Sequence, residues 1–212
     1  MSGGRPRSSV AAKAAAAGAA AQKTGAPRLA PREVRIIGGD WKRSKLPVAD
    51  KPGLRPTPDR VRETLFNWLG QELAGWRVLD AFAGSGALGF EAASRGAAEV
   101  LLLERDAQLA RSLQASATRL KAANLRVECA DALGWMGRHA GAPRFELVLL
   151  DPPFELDLFL PALSAAAPLL VPGGFVYLEA DQSLALPPDC GLEPWREGKA
   201  GAVRFQLLRR SG

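Results

Sequence analysis

The sequence predicts an α/β domain of Rossmann-like architecture: a seven-stranded, mostly parallel sheet preceded by a small N-terminal β-hairpin. Three observations predict it. From Arg77 onward, short apolar runs alternate with helix-like stretches, the pattern of repeated βα units. The runs Val100-Leu-Leu-Leu103 and Leu147-Val-Leu-Leu150 are unbroken, as strands covered on both faces are. The run that starts at Arg77 leads into a glycine turn, Gly84-Ser-Gly86, that opens a helix.

Taken in order, strands are expected at 77–82, 99–104, 126–130, 145–151 and 173–180, and helices near 86–95, 107–122, 132–138 and 157–170. The stretch from Leu192 to Arg209 reads as two further strands with Lys199-Ala-Gly201 between them. Ligands of such a sheet bind at the carboxyl ends of its strands, near the switch in strand order. Upstream, Thr57-Pro58 opens a helix, with Thr57 suited to the N-cap and Pro58 to the first helical position. Val61, Leu65, Trp68 and Leu69 share its apolar face, which leaves Arg60, Arg62, Glu63 and Asn67 for the other side; Gly70 can end it. Residues 34–56 alternate apolar pieces with basic ones and predict a hairpin turning at Gly38-Gly39-Asp40. Residues 1–32 hold no acid and almost no large apolar side chain, a composition that favours disorder. They also mimic a transit peptide, although Ala repeats and Gly breaks fit low complexity better. The expected division is therefore a tail at 1–32, a basic hairpin extension at 33–56 and the α/β domain at 57–212.

The 212 residues, 47% of them hydrophobic, suffice for one such domain and an appendage. Two distant cysteines, Cys129 and Cys190, argue against a disulfide framework or a zinc site, and a single His139 argues against a metal cluster or a Ser-His-Asp triad. No apolar stretch approaches a membrane span, and no secretory signal is present, so the expectation is a cytoplasmic monomer without metal or membrane partner. Charge is uneven: residues 1–60 hold 13 Lys and Arg against 4 Asp and Glu, the remainder 15 against 18. A basic patch on an acidic body suits nucleic acid; the plainer alternative is a solvated tail. Within it, Arg35, Trp41, Lys42, Arg43 and Lys45 interleave an aromatic ring with cations on or beside a strand, a plausible RNA-contacting surface.

Four residues point to chemistry. Asp151-Pro152-Pro153-Phe154 follow the apolar run 145–150, and the two prolines stop the strand. The result is either an ordinary loop or a rigid corner presenting a carboxylate, backbone carbonyls and a flat ring, the parts that grip a planar group bearing an exocyclic NH₂. The upstream acids bear on that choice. Asp80 precedes the glycine turn, where its charge repels a pyrophosphate and attracts a cationic sulfonium-amino acid. There is no Walker Lys-Ser/Thr, which excludes a P-loop. Glu104 ends the second strand where an acid accepts hydrogen bonds from ribose, or stands as a surface charge. Asp131 suits an adenine amine, or the N-cap of the helix at 132–138, or both. Acids at the ends of four successive strands fit an S-adenosylmethionine (SAM)-dependent amino-methyltransferase.

Three motifs carry a closer resemblance. The segment from Gly53 to Leu69 (GLRPTPDRVRETLFNWL), the segment from Leu79 to Gly89 (LDAFAGSGALG) and Asp151-Pro-Pro-Phe154 resemble the bacterial 16S ribosomal RNA guanine-N2 methyltransferase family, RsmD, over about Val34 to Arg209. The resemblance implies a class I SAM-dependent methyltransferase fold and N2-methylation of one guanine of 16S rRNA in the small ribosomal subunit. It implies that Asp80, Ala81, Phe82, Gly84, Ser85 and Gly86 bind the methionine part of SAM, Glu104 and Arg105 the ribose side, and Asp131 and Ala132 the adenine. Arg55, Pro56 and Thr57 would close over the cofactor. Asp151 and the Pro152 carbonyl would accept from guanine N2, Pro153 would stiffen the corner and Phe154 would stack on the flipped base. Asp-Pro-Pro-aromatic corners also occur in DNA adenine-N6 methyltransferases, but no sizeable target-recognition insertion is visible. A non-catalytic SAM-fold assembly factor is the remaining alternative, against which the intact acid series argues.

Overall fold

The computed structural model describes residues 1, 33–142, 144–153, 158–180, 186–187, 190–201 and 203–211. The expectation for the tail 1–32 therefore lies outside the described residues, Met1 apart, as does Phe154.

The hairpin strands are β1 (Glu33–Arg35) and β2 (Lys45–Pro47), paired antiparallel with Val34 opposite Leu46. Then follow α1 (Asp59–Trp68), β3 (Arg77–Asp80), α2 (Ala87–Ser94), β4 (Glu99–Glu104), α3 (Ala107–Leu120), β5 (Leu125–Cys129), α4 (Ala132–Arg138) and β6 (Phe145–Leu150). The chain closes with α5 (Phe159–Ala166), a short 3₁₀ turn, β7 (Leu170–Ala180), β8 (Leu192–Ala200) and β9 (Val203–Arg210). Seven strands make one sheet in the order β5-β4-β3-β6-β7-β9-β8. β5, β4, β3, β6 and β7 are parallel neighbours, and β9 inserts antiparallel between β7 and β8. The order reverses between β3 and β6, which places the switch point beside Asp80 and Asp151.

Strand periodicity sorts the core into two faces. Val78, Val100, Leu102, Leu147, Leu149 and Tyr177 pack with the hairpin, α1, α2 and α3. Leu79, Leu101, Leu103, Val148, Leu150 and Leu178 pack with α4 and α5. Both faces are covered, which is why the strands lack polar alternation. No helix among the described residues is long and apolar enough to cross a membrane.

Two local expectations are corrected. Thr57 does not cap α1: Pro58 holds the cap position in an extended conformation without a side-chain cap bond, and Asp59 is the first helical residue. The Thr57 hydroxyl is used elsewhere, on Asp151 at 3.4 Å. Arg62 does not face solvent. It is fully buried, because Glu91 of α2 and the backbone carbonyls of Arg35 and Thr57 give its guanidinium partners that water would otherwise supply.

The hairpin also differs in detail. Its strands are three residues each, so Trp41, Lys42 and Arg43 lie in the connecting loop, where Arg43 takes a positive φ of 72°. Glu91 and Ser94 hold that loop against α2. The Glu91 carboxylate accepts from the Ile37 and Gly38 amides at 2.9 and 2.8 Å. Ser94 Oγ accepts from Trp41 N–H at 2.9 Å and donates to the Gly38 carbonyl at 2.6 Å. Trp41 packs its ring on Phe90, centroids 6.3 Å apart, and is half-buried.

Candidate functional site

Asp80 is the last residue of β3, and the chain turns immediately into 81–86. Gly86 closes that turn at φ 78°, and a Cβ there would stand 2.6 Å from Leu113 and 2.8 Å from Phe90. Only glycine lets α2 begin so close to its neighbours. Gly89 sits where a Cβ would meet Asp80 Oδ2 at 2.9 Å, and its amide donates to that same oxygen at 2.9 Å. Asp80 is thus held from behind by the first turn of α2. Burial, with Glu104 adding repulsion, pushes its carboxyl up to about 7, against the pull of the Gly89 and Phe82 amides.

Glu104 ends β4 and is buried. Its Oε2 accepts from Gly84 N–H at 2.9 Å and its Oε1 from Asp106 N–H at 2.8 Å. It therefore ties the glycine turn to the start of α3. Arg105 beside it is exposed. Asp131 is exposed and caps α4 through Gly134 N–H at 2.7 Å, with Ala132 buried behind it, so the helix-cap reading of Asp131 holds. Ser85 is buried, its Oγ accepting from Ala87 N–H at 3.4 Å. Ala81 is buried, and Phe82 is half-buried against the α4/α5 face.

The segment between hairpin and α1 crosses this row. Lys51 bonds Asp106, whose carboxyl is held down to about 2 by that ammonium and by the α3 amides. Leu54 Cδ1 lies 3.1 Å from the position a Cβ on Gly84 would take, so Leu54 covers the glycine turn. Arg55 is exposed, Pro56 half-buried and Thr57 buried against Asp151.

Asp151 follows β6, with Pro152 buried and Pro153 exposed after it. The last register pair between β6 and β7 is Leu150 with Leu178, which brings Asp151 alongside Glu179. Glu179 is 3% exposed and accepts from the Tyr177 hydroxyl at 2.9 Å. Burial raises Asp151 well above the usual carboxylate range, and the charges of Glu179 and Asp80 add to it. Burial likewise raises Glu179, opposed by the Thr57 and Tyr177 hydroxyls. Sequence reasoning passed over Glu179 and Tyr177. The signal was present: Glu179 closes an apolar strand as Asp80 and Glu104 do, and alternation puts Tyr177 on its face.

The structure thus gathers Asp80, Glu104, Asp151, Thr57 and the glycine turn at the carboxyl ends of β3, β4 and β6. The predicted RNA contacts form a separate group on and beside the hairpin. Arg35, Lys42 and Arg43 are exposed, and Lys45 is paired with Glu33 at 2.7 Å.

The strand order, with β9 antiparallel between β7 and β8, and the row of acids at the switch point define a class I SAM-dependent methyltransferase fold. A family model described as Conserved hypothetical protein 95 matches residues 34–209. Ribosomal RNA small subunit methyltransferase D of Escherichia coli (strain K12) is 42% identical over 185 residues, covering 84% of this chain and 90% of that protein. Its Haemophilus influenzae counterpart is 41% identical over 183 residues, covering 84% and 94%. A solved E. coli protein described as a methyltransferase, yhhF, superposes with TM-score 0.75 at 36% identity, covering 84% of this chain and 98% of that one. Magnesium protoporphyrin IX methyltransferase of Synechocystis, solved with SAM bound, shares the fold at TM-score 0.57 and 20% identity, covering 72% and 79%. The chain belongs to the Conserved hypothetical protein 95 family, the family of ribosomal RNA small subunit methyltransferase D.

Proposed function

We propose that this protein transfers a methyl group from SAM to the exocyclic N2 of one guanine in 16S rRNA of the small ribosomal subunit. The observation that carries the reading is the placement of Asp151. It stands at the switch point one strand from Asp80, in a chain 42% identical to a ribosomal RNA small subunit methyltransferase.

The residues present fit SAM. Asp80 is a buried carboxyl with no cation beside it among the described residues, which suits a ligand bearing a sulfonium and an ammonium. Glu104 keeps lone pairs free after its two backbone bonds and is the partner for ribose hydroxyls. Asp80, Ala81, Phe82, Gly84, Ser85 and Gly86 would hold the methionine part, Glu104 and Arg105 the ribose side, and Asp131 and Ala132 the adenine. Arg55, Pro56 and Thr57 would close the site. When bound, SAM supplies an electrophilic methyl group, released as the carbon–sulfur bond breaks with its electron pair staying on sulfur.

Asp151 and the Pro152 carbonyl accept the two N2 hydrogens and turn the nitrogen lone pair out of the guanine plane. The fixed corner holds that geometry, so positioning supplies most of the acceleration. Positive charge that develops on nitrogen is met by the Asp151 carboxylate. Phe154 is assigned to stack on the extruded base. The hairpin cations Arg35, Lys42, Arg43 and Lys45, with Trp41, would bind rRNA backbone.

The test is a radiolabelled-methyl assay with small subunits lacking the modification, naked 16S rRNA and duplex DNA. N2-methylguanine in 16S rRNA is the expected product. Label only in DNA adenine, or none in any substrate, overturns the reading.

A further inference from the structure

We propose that Glu179 is a positioning residue for Asp151, fixing through the Tyr177 hydroxyl and the β6–β7 register which carboxyl of the pair receives the proton that leaves the substrate amine. The inference rests on the methyl transfer proposed above, and extends it to two residues of β7 outside the amine corner.

The geometry is as follows. Alternation along β7 sends Tyr177 and Glu179 to the face shared by Leu149 and the hairpin, and Asp151 falls next to Glu179 past the Leu150–Leu178 pair. Tyr177 is fully buried and Glu179 nearly so, and their hydrogen bond of 2.9 Å aims Glu179 Oε1 at the phenol. Burial and the adjoining acids keep that phenol protonated, so it acts only as a donor to Glu179. Thr57 approaches from the start of α1, its Oγ1 3.4 Å from Asp151 Oδ2. The titratable groups facing Asp151 among the described residues are Asp80 from β3 and Glu179 and Tyr177 from β7. All bear negative or neutral charge, and among the described residues no cation faces the pair.

Two adjacent carboxyls withdrawn from water, with no cation facing them among the described residues, do not both ionise at the same pH; the first proton goes to the one less well served by hydrogen bonds. Among the described residues, Glu179 has the phenol as a donor with the Thr57 hydroxyl beside it, while Asp151 has the longer contact from Thr57. The structure therefore makes Asp151 the more basic member. In the reaction the nitrogen–carbon bond would form from the N2 lone pair as the methyl–sulfur bond breaks with its electron pair left on sulfur, and the surplus proton on nitrogen passes to an Asp151 oxygen. No further oxidant, reductant or co-reactant is needed. Glu179 does not touch the amine; its negative charge makes Asp151 a stronger proton acceptor than an isolated carboxylate.

The test uses the full chain, its Glu179→Gln and Tyr177→Phe variants, and two independent readouts. Carbon-13 carboxyl titration by NMR follows Asp151 in the ligand-free protein. Methyl transfer to 16S rRNA substrates is followed across pH beside calorimetric SAM binding. The expected result is an Asp151 titration above the usual carboxylate range in the parent protein. Glu179→Gln lowers it by about one pH unit or more, and Tyr177→Phe lowers it by less, because Glu179 then takes the proton itself. The acid limb of kcat/KM moves down with it, and SAM affinity at the pH plateau stays unchanged. An Asp151 titration that does not move in Glu179→Gln overturns the proposal, as does an acid limb that stays in place. A parent protein that methylates no rRNA, with the carboxyl titrations behaving as described, overturns the substrate reading and leaves the coupling standing.

Discussion

Arg62 of α1 and Glu91 of α2 meet at 3.0 Å with both side chains fully buried. Glu91 also takes Arg95 and the Ile37 and Gly38 amides, so one carboxylate joins two helices and the hairpin loop. Removing it takes the counter-charge from Arg95 and leaves the buried Arg62 with the exposed Asp59 alone. Glu91→Ala is expected to destabilise the fold by about 3–5 kcal/mol. Urea unfolding checks this, and a loss below about 1 kcal/mol would show that the network relaxes onto water.

Asp151→Ala is expected to lower kcat by on the order of 10²-fold or more while SAM still binds, because the lost contact matters most as charge develops on nitrogen. Single-turnover methylation with calorimetry in parallel checks it. Turnover like that of the parent protein would remove Asp151 from the chemistry.

Lys42 and Arg43 project from the hairpin loop, whereas Lys45 is matched by Glu33. Replacing Lys42 and Arg43 with Ala is expected to weaken rRNA binding at every sequence and to reduce the slope of log affinity against log salt by about 1.5. Lys45→Ala alone is expected to change the slope less. Filter binding across a salt series measures both.

Asp80 titrates near 7 when folded against about 3.8 in an unstructured chain, so the folded state binds the extra proton between those values. The stability this contributes is complete below the unfolded pKa and lost as pH rises toward 7. The ligand-free protein is therefore expected to melt at lower temperature at pH 8 than at pH 5, with Asp80→Asn flattening that dependence. The sign holds because Asp151 and Glu179 are raised in the same direction. Thermal scans across pH decide it; a melting temperature that climbs over this range contradicts the assigned burial.

The strands and helices of the sheet were legible because both periodicities are strong there, and β4 and α4 fall at the predicted residues. Glu104 and Asp80 were legible as site residues because acids closing apolar strands are rare. What escaped the sequence were partnerships between distant segments. Nothing local announces that Arg62 turns inward, since its partner lies 29 residues away on another helix. Thr57 looks like a cap by position, yet a carboxylate 94 residues downstream claims its hydroxyl. Trp41 read as part of an RNA-contacting surface, and its packing on Phe90, 49 residues downstream, has no local signal.

The strap from β2 to α1 touches the site twice, with Leu54 over Gly84 and Thr57 against Asp151. Two residues, Arg55 and Pro56, separate those two anchors, and they must span from one strand end to another. Lengthening or shortening the chain between them by a single residue would detach one anchor. Before Leu54, an added side chain at Gly53 would meet open space, but the φ of 78° there favours glycine, and Lys51 is tied to Asp106. Evolutionary drift in this strap should therefore show as a kept glycine at 53 and a strictly kept length from Leu54 to Thr57.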